Sequence, residues 1–290
     1  MSPLLEELTA DGPVLVDGAW GTQLQSLGLA AGECPDEWNL SHPERVEQVA
    51  RAYVEAGSQV ILTNTFRANR LALAGSPLAD RVETINRRGA EISVRAAQGR
   101  ARVFASIGPS GKMLLTGEVN EEELMGAFTE QASALAEGGA DALVVETMAD
   151  LAEAKVALAA ARKTGLPVVV CMVFDSGKEM DRTMMGVDCE QAARELADSG
   201  ADVIGANCGQ SAAGYLSLAQ RMMTAADRPV WLKPNAGLPE MIDGQIVYHD
   251  DPSDFAENAG ALVRHGISFL GGCCGSSPRF ITALAREIRR

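Results

Sequence analysis

The sequence predicts a single eight-stranded β/α barrel over residues 1–290. Three observations predict it. Short runs rich in Val and Ile alternate along the whole chain with longer stretches whose apolar residues recur at helical spacing. No shift in composition and no low-complexity linker divides the chain. Most of the short runs end in polar or thiol side chains beside glycine, which suits a barrel, where chemistry gathers at the C-terminal ends of the strands.

The first run, Pro13–Asp17, ends in Asp17-Gly18-Ala19. The irregular stretch Gly18–His42 follows as a candidate mouth loop. Ser41 ahead of Pro43 marks the entry to a helix over Pro43–Ala56, and Gly57 stops it. The second run, Gln59–Asn64, ends in Thr63-Asn64-Thr65-Phe66, and a helix over Leu78–Ala97 leads to the third, Arg102–Ile107, which ends in Ser106-Ile107-Gly108-Pro109. Asn120 before Glu121, Glu122 and Glu123 gives a capped, dipole-matched first turn to a helix over Glu121–Gly138. The fourth run, Asp141–Glu146, ends in Glu146-Thr147 and precedes a helix over Leu151–Thr164. The fifth, Pro167–Val173, precedes a helix over Cys189–Ser199. The sixth, Asp202–Asn207, ends in Asn207-Cys208-Gly209. The seventh, Pro229–Pro234, runs into Lys233-Pro234-Asn235-Ala236-Gly237 and a second candidate mouth loop, Asn235–Pro252. A helix over Ser253–His265 and the eighth run, Ile267–Gly271, complete the series at Gly272-Cys273-Cys274. A doubly wound open sheet is the other architecture that fits this alternation, but no G-x-G-x-x-G opens a helix.

Composition narrows the function. A formal net charge of −14 argues against nucleic acid or an anionic membrane surface as partner, because phosphate binding needs a basic patch. No apolar run approaches the ~18 residues that a spanning helix needs. Six cysteines in a chain of this length are no disulfide scaffold. The N-terminal residues lack the charged-then-apolar pattern of a signal peptide, so a cytoplasmic location is expected. In that compartment clustered cysteines point to a metal rather than to disulfides.

The cluster is Gly271-Gly272-Cys273-Cys274-Gly275. Neighbouring side chains of a regular strand point to opposite faces, so two adjacent thiols reach one point only if the backbone leaves strand geometry, and flanking glycines permit that. A soft or borderline metal, zinc first, is the natural reason to aim them together. Cys208, at the end of another run, supplies a third thiol and leaves a fourth position open. Cys34, Cys171 and Cys189 lack such a frame and read as structural. His42, His249 and His265 have no ligand spacing and read as non-catalytic. An open position on a thiolate-rich zinc suits a substrate thiol. Asp17 and Glu146 at strand ends suit the ammonium of a thiol-bearing amino acid, with N–H groups around Gly18-Ala19 and Gly108 for its carboxylate. Thr65 and Ser106 join the same substrate-binding set. Three rival readings remain. Lys233 is either an ion-paired lysine or a Schiff-base nucleophile. The barrel is also readable as a zinc-stabilised binding subunit without activity, or as a vicinal-thiol redox protein without zinc.

These motifs, with Asp17-Gly18-Ala19-Trp20-Gly21-Thr22, Ala105-Ser106-Ile107-Gly108-Pro109 and Glu146-Thr147-Met148, run from end to end of the chain. On them the chain resembles the homocysteine S-methyltransferase family of zinc-dependent β/α barrels. It is most similar to the homocysteine-binding module of cobalamin-dependent methionine synthase. The resemblance implies Cys208, Cys273 and Cys274 as zinc ligands, Asp17 and Glu146 near the homocysteine amino group, and Asn235 as the group that takes the open zinc position when homocysteine is absent. It implies methyl transfer to homocysteine, giving methionine. Two departures stand out: Trp20 replaces an expected methionine at the mouth, and Ser276-Ser277-Pro278 replaces Thr-Thr-Pro. The chain ends at Arg290, without room for folate, cobalamin-binding and reactivation modules, and contains no Asp-x-His-x-x-Gly motif. The expectation is therefore a subunit of a split synthase. It would take methyl from methylcobalamin on a separate corrinoid protein, reloaded by a folate-binding methyltransferase subunit. The alternative is a self-sufficient enzyme using betaine, a sulfonium or S-methylmethionine.

Overall fold

The computed structural model describes residues 2–242 and 245–289. Its strands are β1 (Val14–Leu15), β2 (Val60–Ile61), β3 (Arg102–Ile107), β4 (Ala142–Met148), β5 (Val168–Met172), β6 (Val203–Ser211), β7 (Val230–Asn235), β8 (Glu240–Ile242), β9 (Gln245–Val247) and β10 (Phe269–Leu270). Its helices are α1 (Pro3–Thr9), α2 (Trp20–Ser26), α3 (Trp38–Ser41), α4 (Pro43–Ala56), α5 (Val82–Ala97), α6 (Glu121–Glu137), α7 (Leu151–Arg162), α8 (Cys189–Asp198), α9 (Tyr215–Ala225), α10 (Pro252–Arg264) and α11 (Pro278–Ile288). Eight strands lie side by side in the order β1-β10-β7-β6-β5-β4-β3-β2, every pair of them parallel. A parallel bridge between Val16 and Val60 joins the two ends of that order, so the sheet closes on itself as an α/β barrel. Among the described residues no helix is long and apolar enough to cross a membrane.

The strands of the notional eight-fold repeat fall where the Val- and Ile-rich runs predict, although β1, β2 and β10 keep only two residues of regular pairing each. Two stretches that read as loops hold structure. Gly18–His42 contains α2, a short 3-10 turn at Pro35–Glu37, and α3. Asn235–Pro252 contains the antiparallel pair β8 and β9, with residues 243 and 244 outside the described residues. α1, α9 and α11 were not marked by the sequence reading. α1 is capped by Ser2, whose hydroxyl accepts from the Leu5 N–H. α11 buries Phe280, Ile281 and Leu284, a compact helical stripe.

Two apolar layers result. Alternate strand residues Leu143, Val145, Val103, Ala105, Val168 and Val170 face outward and meet the helices. The other set fills the barrel: Val14, Val16, Val60, Phe104, Val144, Val169, Val203, Trp231 and Phe269, with Leu5 of α1 packed against them. The rings of Trp231 and Phe269 lie 5.3 Å apart at the centre of this layer. The two-residue period then carries the inward series from apolar to polar toward the strand C-termini. Phe104 is followed by Ser106, Val144 by Glu146, and Trp231 by Lys233, all buried. The same alternation that builds the core thus delivers the polar groups to one face.

Candidate active site

The sulfurs of Cys208, Cys273 and Cys274 lie within 4.8 Å of one another. Cys274 Sγ is 3.9 Å from Cys208 Sγ and 4.0 Å from Cys273 Sγ. Two departures from strand geometry achieve this. Pairing between β6 and β7 loses register between Asn207 and Ser211, and Cys208 adopts φ 62, a left-handed conformation uncommon outside glycine. Tyr215 fixes it by donating its hydroxyl to the Cys208 carbonyl at 2.6 Å. β10 stops at Leu270, and the Cys273-Cys274 segment is tied between β1 and β7. Gly272 N donates to Asp17 O at 3.0 Å, Cys273 N to Pro234 O at 2.7 Å, and Ala236 N to Cys274 O at 2.9 Å. Gly271 is required, because a Cβ there would stand 2.5 Å from Asp17 O.

The thiols share charge. Cys273 and Cys274 donate toward Cys208, which holds the Cys208 thiol down at about 3 and pushes Cys274 up to about 11. Cys273 is raised by the same two neighbours and by burial. Asn235 also hydrogen-bonds Cys208, yet its Oδ1 is buried without a hydrogen-bond partner. Such an orphaned carbonyl oxygen beside three thiols is costly unless a cation takes it, so the donor set fits a metal ion. Tyr248 hydrogen-bonds Cys274, and its ring occupies the space that a Cβ on Gly275 would need.

A cavity of about 320 Å³ opens over this cluster, lined among others by Gly18, Ala19, Trp20, Ser106, Glu146 and Lys233. Glu146 Oε1 accepts from Ser106 Oγ at 2.5 Å and Oε2 from Asn207 Nδ2 at 3.2 Å. Asn207 is oriented in turn by the Thr147 N–H, which donates to its Oδ1 at 2.8 Å, and Thr147 is itself left-handed at φ 60. Burial raises the Glu146 pKa, against the opposing pull of Lys233 and Ser106. Asp17 is fully buried; Lys233 Nζ donates to its Oδ1 at 2.6 Å, and Trp20 Nε1 and Leu62 N donate to its Oδ2 at 2.7 Å each. Burial would lower the Lys233 pKa, but the Asp17 and Glu146 carboxylates outweigh it and the net shift is upward. A lysine held as ammonium is a poor Schiff-base nucleophile, so Lys233 is the ion-paired lysine of the two alternatives.

The structure thus gathers the three cysteines, Glu146, Ser106, Gly18 and Ala19 around one cavity, with Asn235 beside Cys208. Thr65 lies beneath it: fully buried, its hydroxyl donates to Ser106 O at 2.7 Å and sits 2.5 Å from Thr63 Oγ1. The Ala19 N–H donates to Ser276 Oγ at 3.1 Å and the Gly108 N–H to Phe66 O at 2.9 Å, so both donors are engaged within the chain. Tyr215, Tyr248, Asn207 and Ser276 were missed as site-builders. Asn207 and Ser276 flank the cysteines in sequence, and that adjacency was the available signal; the two tyrosines carried none.

Residues 14–288 match the family described as homocysteine S-methyltransferase. The chain is 32% identical to a methionine synthase of Mycobacterium leprae (strain TN) over a gapped alignment of 306 positions that covers 99% of the chain. It is 32% identical to one of Mycobacterium tuberculosis (strain ATCC 25618 / H37Rv) over a gapped alignment of 291 positions that covers 94% of the chain. It spans only 25% and 24% of those two relatives. The metallated form of the Escherichia coli homocysteine methyltransferase MmuM superposes with a TM-score of 0.81 over 100% of both chains at 20% identity, a likeness of fold.

Proposed function

Because the chain belongs to the homocysteine S-methyltransferase family, we propose that it transfers a methyl group to the sulfur of L-homocysteine, giving methionine, with zinc held by Cys208, Cys273 and Cys274. The observation that carries this reading is the meeting of three sulfurs within 4.8 Å beneath a cavity that also holds Glu146. Bound there, zinc supplies a Lewis acid that keeps the substrate sulfur as a thiolate at neutral pH. The chain's own residues do the rest. Tyr215 and the β6 irregularity hold Cys208 toward its partners. Ser106 and Asn207 hold the Glu146 carboxylate at the cavity wall, where it pairs with the substrate ammonium. Asn235 presents its unpartnered Oδ1 beside the cluster and gives way when the substrate sulfur arrives. The substrate thiol would lose its proton to solvent on binding, before transfer, so the transfer step itself needs no general base. The sulfur lone pair forms the new S–C bond as the bond from methyl carbon to donor breaks, and that electron pair leaves with the donor.

The donor reading we prefer is methylcobalamin on a separate corrinoid protein, with a folate-binding methyltransferase subunit to reload it. It is supported by the 32% identity, across nearly the whole chain, to two methionine synthases. The alternative is a small free donor such as betaine, a sulfonium or S-methylmethionine. The test is to offer methylcobalamin, glycine betaine and S-methylmethionine separately to zinc-loaded protein with homocysteine and to measure methionine. Turnover with methylcobalamin alone is expected. Turnover with betaine or S-methylmethionine overturns the donor assignment, and no methionine from any donor overturns the reaction.

A further inference from the structure

A methyl donor that enters the cavity meets three sulfurs that belong to the chain itself. Cys208, Cys273 and Cys274 all line it, and each is half-buried. The thiolate is the nucleophilic form of cysteine, and a thiol held on a metal stays ionised. A donor able to alkylate a substrate sulfur there can therefore alkylate a ligand sulfur too. One such event is final, because the sulfur becomes a neutral thioether and its charge is lost from the site. Transfer that spares the ligands needs something that makes their sulfurs poorer nucleophiles.

The donors around the three sulfurs differ. Cys208 receives the Gly209 N–H and Asn235. Asn207 Nδ2 stands 3.9 Å from Cys273 Sγ, but the same nitrogen is committed to Thr147 Oγ1 at 2.7 Å and to Glu146 Oε2 at 3.2 Å. Cys274 receives a hydroxyl, that of Tyr248. Tyr248 directly follows β9, and its surroundings fix it. Its ring packs against the outer core. Gly275, at φ 80, makes room for it, and a Cβ there would strike Tyr248 Cβ and Cγ. Ala236 ties the two segments together: its N–H donates to Cys274 O at 2.9 Å, and its carbonyl accepts from Asp250 N at 3.2 Å. One residue thus pins both the Cys274 backbone and the segment that carries Tyr248.

We propose that Tyr248 is a specificity-determining residue: its hydroxyl donates to Cys274 Sγ and spares that ligand from methylation. The inference rests on the reading of this cavity as a methyl-transfer site. An O–H donor engages a sulfur lone pair and draws charge from the thiolate. The wedge on Gly275 aims the hydroxyl at a ligand sulfur, so the electron density it withdraws is the ligand's. A tyrosine that only filled the space over Gly275 would do so with its ring and would lose nothing with its hydroxyl.

The experiment treats zinc-loaded wild type and Tyr248→Phe with methyl iodide in zinc-containing buffer. Peptide mass spectrometry follows S-methylation at each cysteine, and metal analysis follows zinc. In the side reaction a sulfur lone pair forms the S–C bond as the C–I bond breaks, and iodide leaves with that electron pair. Tyr248→Phe keeps the ring on Gly275 and removes the donor. The initial rate of methylation at Cys274 is expected to rise about 3- to 10-fold, the effect of losing part of a charge-assisted hydrogen bond on the way to transfer. Cys208 and Cys273 are expected to keep their wild-type rates, with zinc content unchanged. A wild-type rate at Cys274 in the variant, or no methylation there, overturns the assignment. Loss of zinc or an equal rise at all three cysteines overturns it as well, since either makes the hydroxyl a structural support of the cluster. Methyl iodide alkylates thiolates whatever the physiological donor. Failure of every donor to give methionine would therefore overturn the methyl-transfer reading by itself and leave the measured effect at Cys274 standing.

Discussion

Replacing Glu146 with Gln separates substrate recognition from folding. The amide fits the same hydrogen bonds: Oε1 accepts from Asn207 Nδ2 and Nε2 donates to the Ser106 hydroxyl, which accepts as readily as it donates. What disappears is the charge opposite the substrate ammonium. A hydrogen bond to a charged group contributes about 1.5–3 kcal/mol, so the homocysteine Kd should rise about 10- to 150-fold. Stability should move the other way. Burial raises the folded-state pKa of Glu146 above its ordinary value. A carboxyl shifted in that sense stabilises the fold fully below the unfolded pKa, and the contribution fades as pH rises through the folded pKa. Above the folded-state pKa the wild type carries a buried charge that Gln does not, so at such pH the metal-free variant should melt at the wild-type temperature or above. The acid limb of homocysteine binding, where Glu146 gains its proton, should flatten in the variant. Calorimetric titrations from acid to neutral pH, paired with thermal melts, read all three effects. Wild-type affinity in Glu146→Gln, or an unchanged acid limb, would refute the role given to this carboxylate.

Two further perturbations test the layers above and below it. Cys208→Ser replaces one thiol of the cluster with a hydroxyl that remains protonated, and the variant should lose stoichiometric zinc and turnover together; metal analysis that finds no zinc in a variant still making methionine would remove the cluster from the reaction. Leu5→Ala opens the barrel interior beneath the site, where Leu5 is fully buried, and should cost about 2–5 kcal/mol in denaturant unfolding with zinc content unchanged; an unmoved midpoint would mean α1 does not close the core.

The barrel was legible because its strands carry their own signal. Val168–Met172 and Val203–Ala206 are short buried runs of strand-forming length set between helical stretches, and the polar or thiol residues that end most runs mark the active face. The cysteine cluster was legible because adjacent thiols framed by glycine are hard to explain otherwise. The short elements were not. α2 and α3 have seven and four residues, and neither has a side-chain cap to announce it. They exist because Leu24 and Trp38 find the outer core, a long-range fact. Asp17 shows the deeper limit. Its place at a strand end was readable, but its saturation by Lys233, 216 residues away, and by the Leu62 N–H is set by closure of the barrel.

Closure also explains why these charges sit together. β1 and β7 flank β10, so Asp17, Lys233 and Cys273 come from three consecutive staves of the barrel. Among the described residues Lys233 is the one buried cation that lines the cavity, and Asp17, Glu146 and Cys273 all act on it. The thiols hydrogen-bond one another, which pulls the Cys208 pKa down and pushes those of Cys273 and Cys274 up. A divalent cation held by the three sulfurs would favour the thiolate form of all of them. Lys233 would then be left to its ion pair with Asp17 and to the Glu146 charge beside it. The ion pair and the thiol cluster are two halves of one charge balance, and a change in either should be felt in the other.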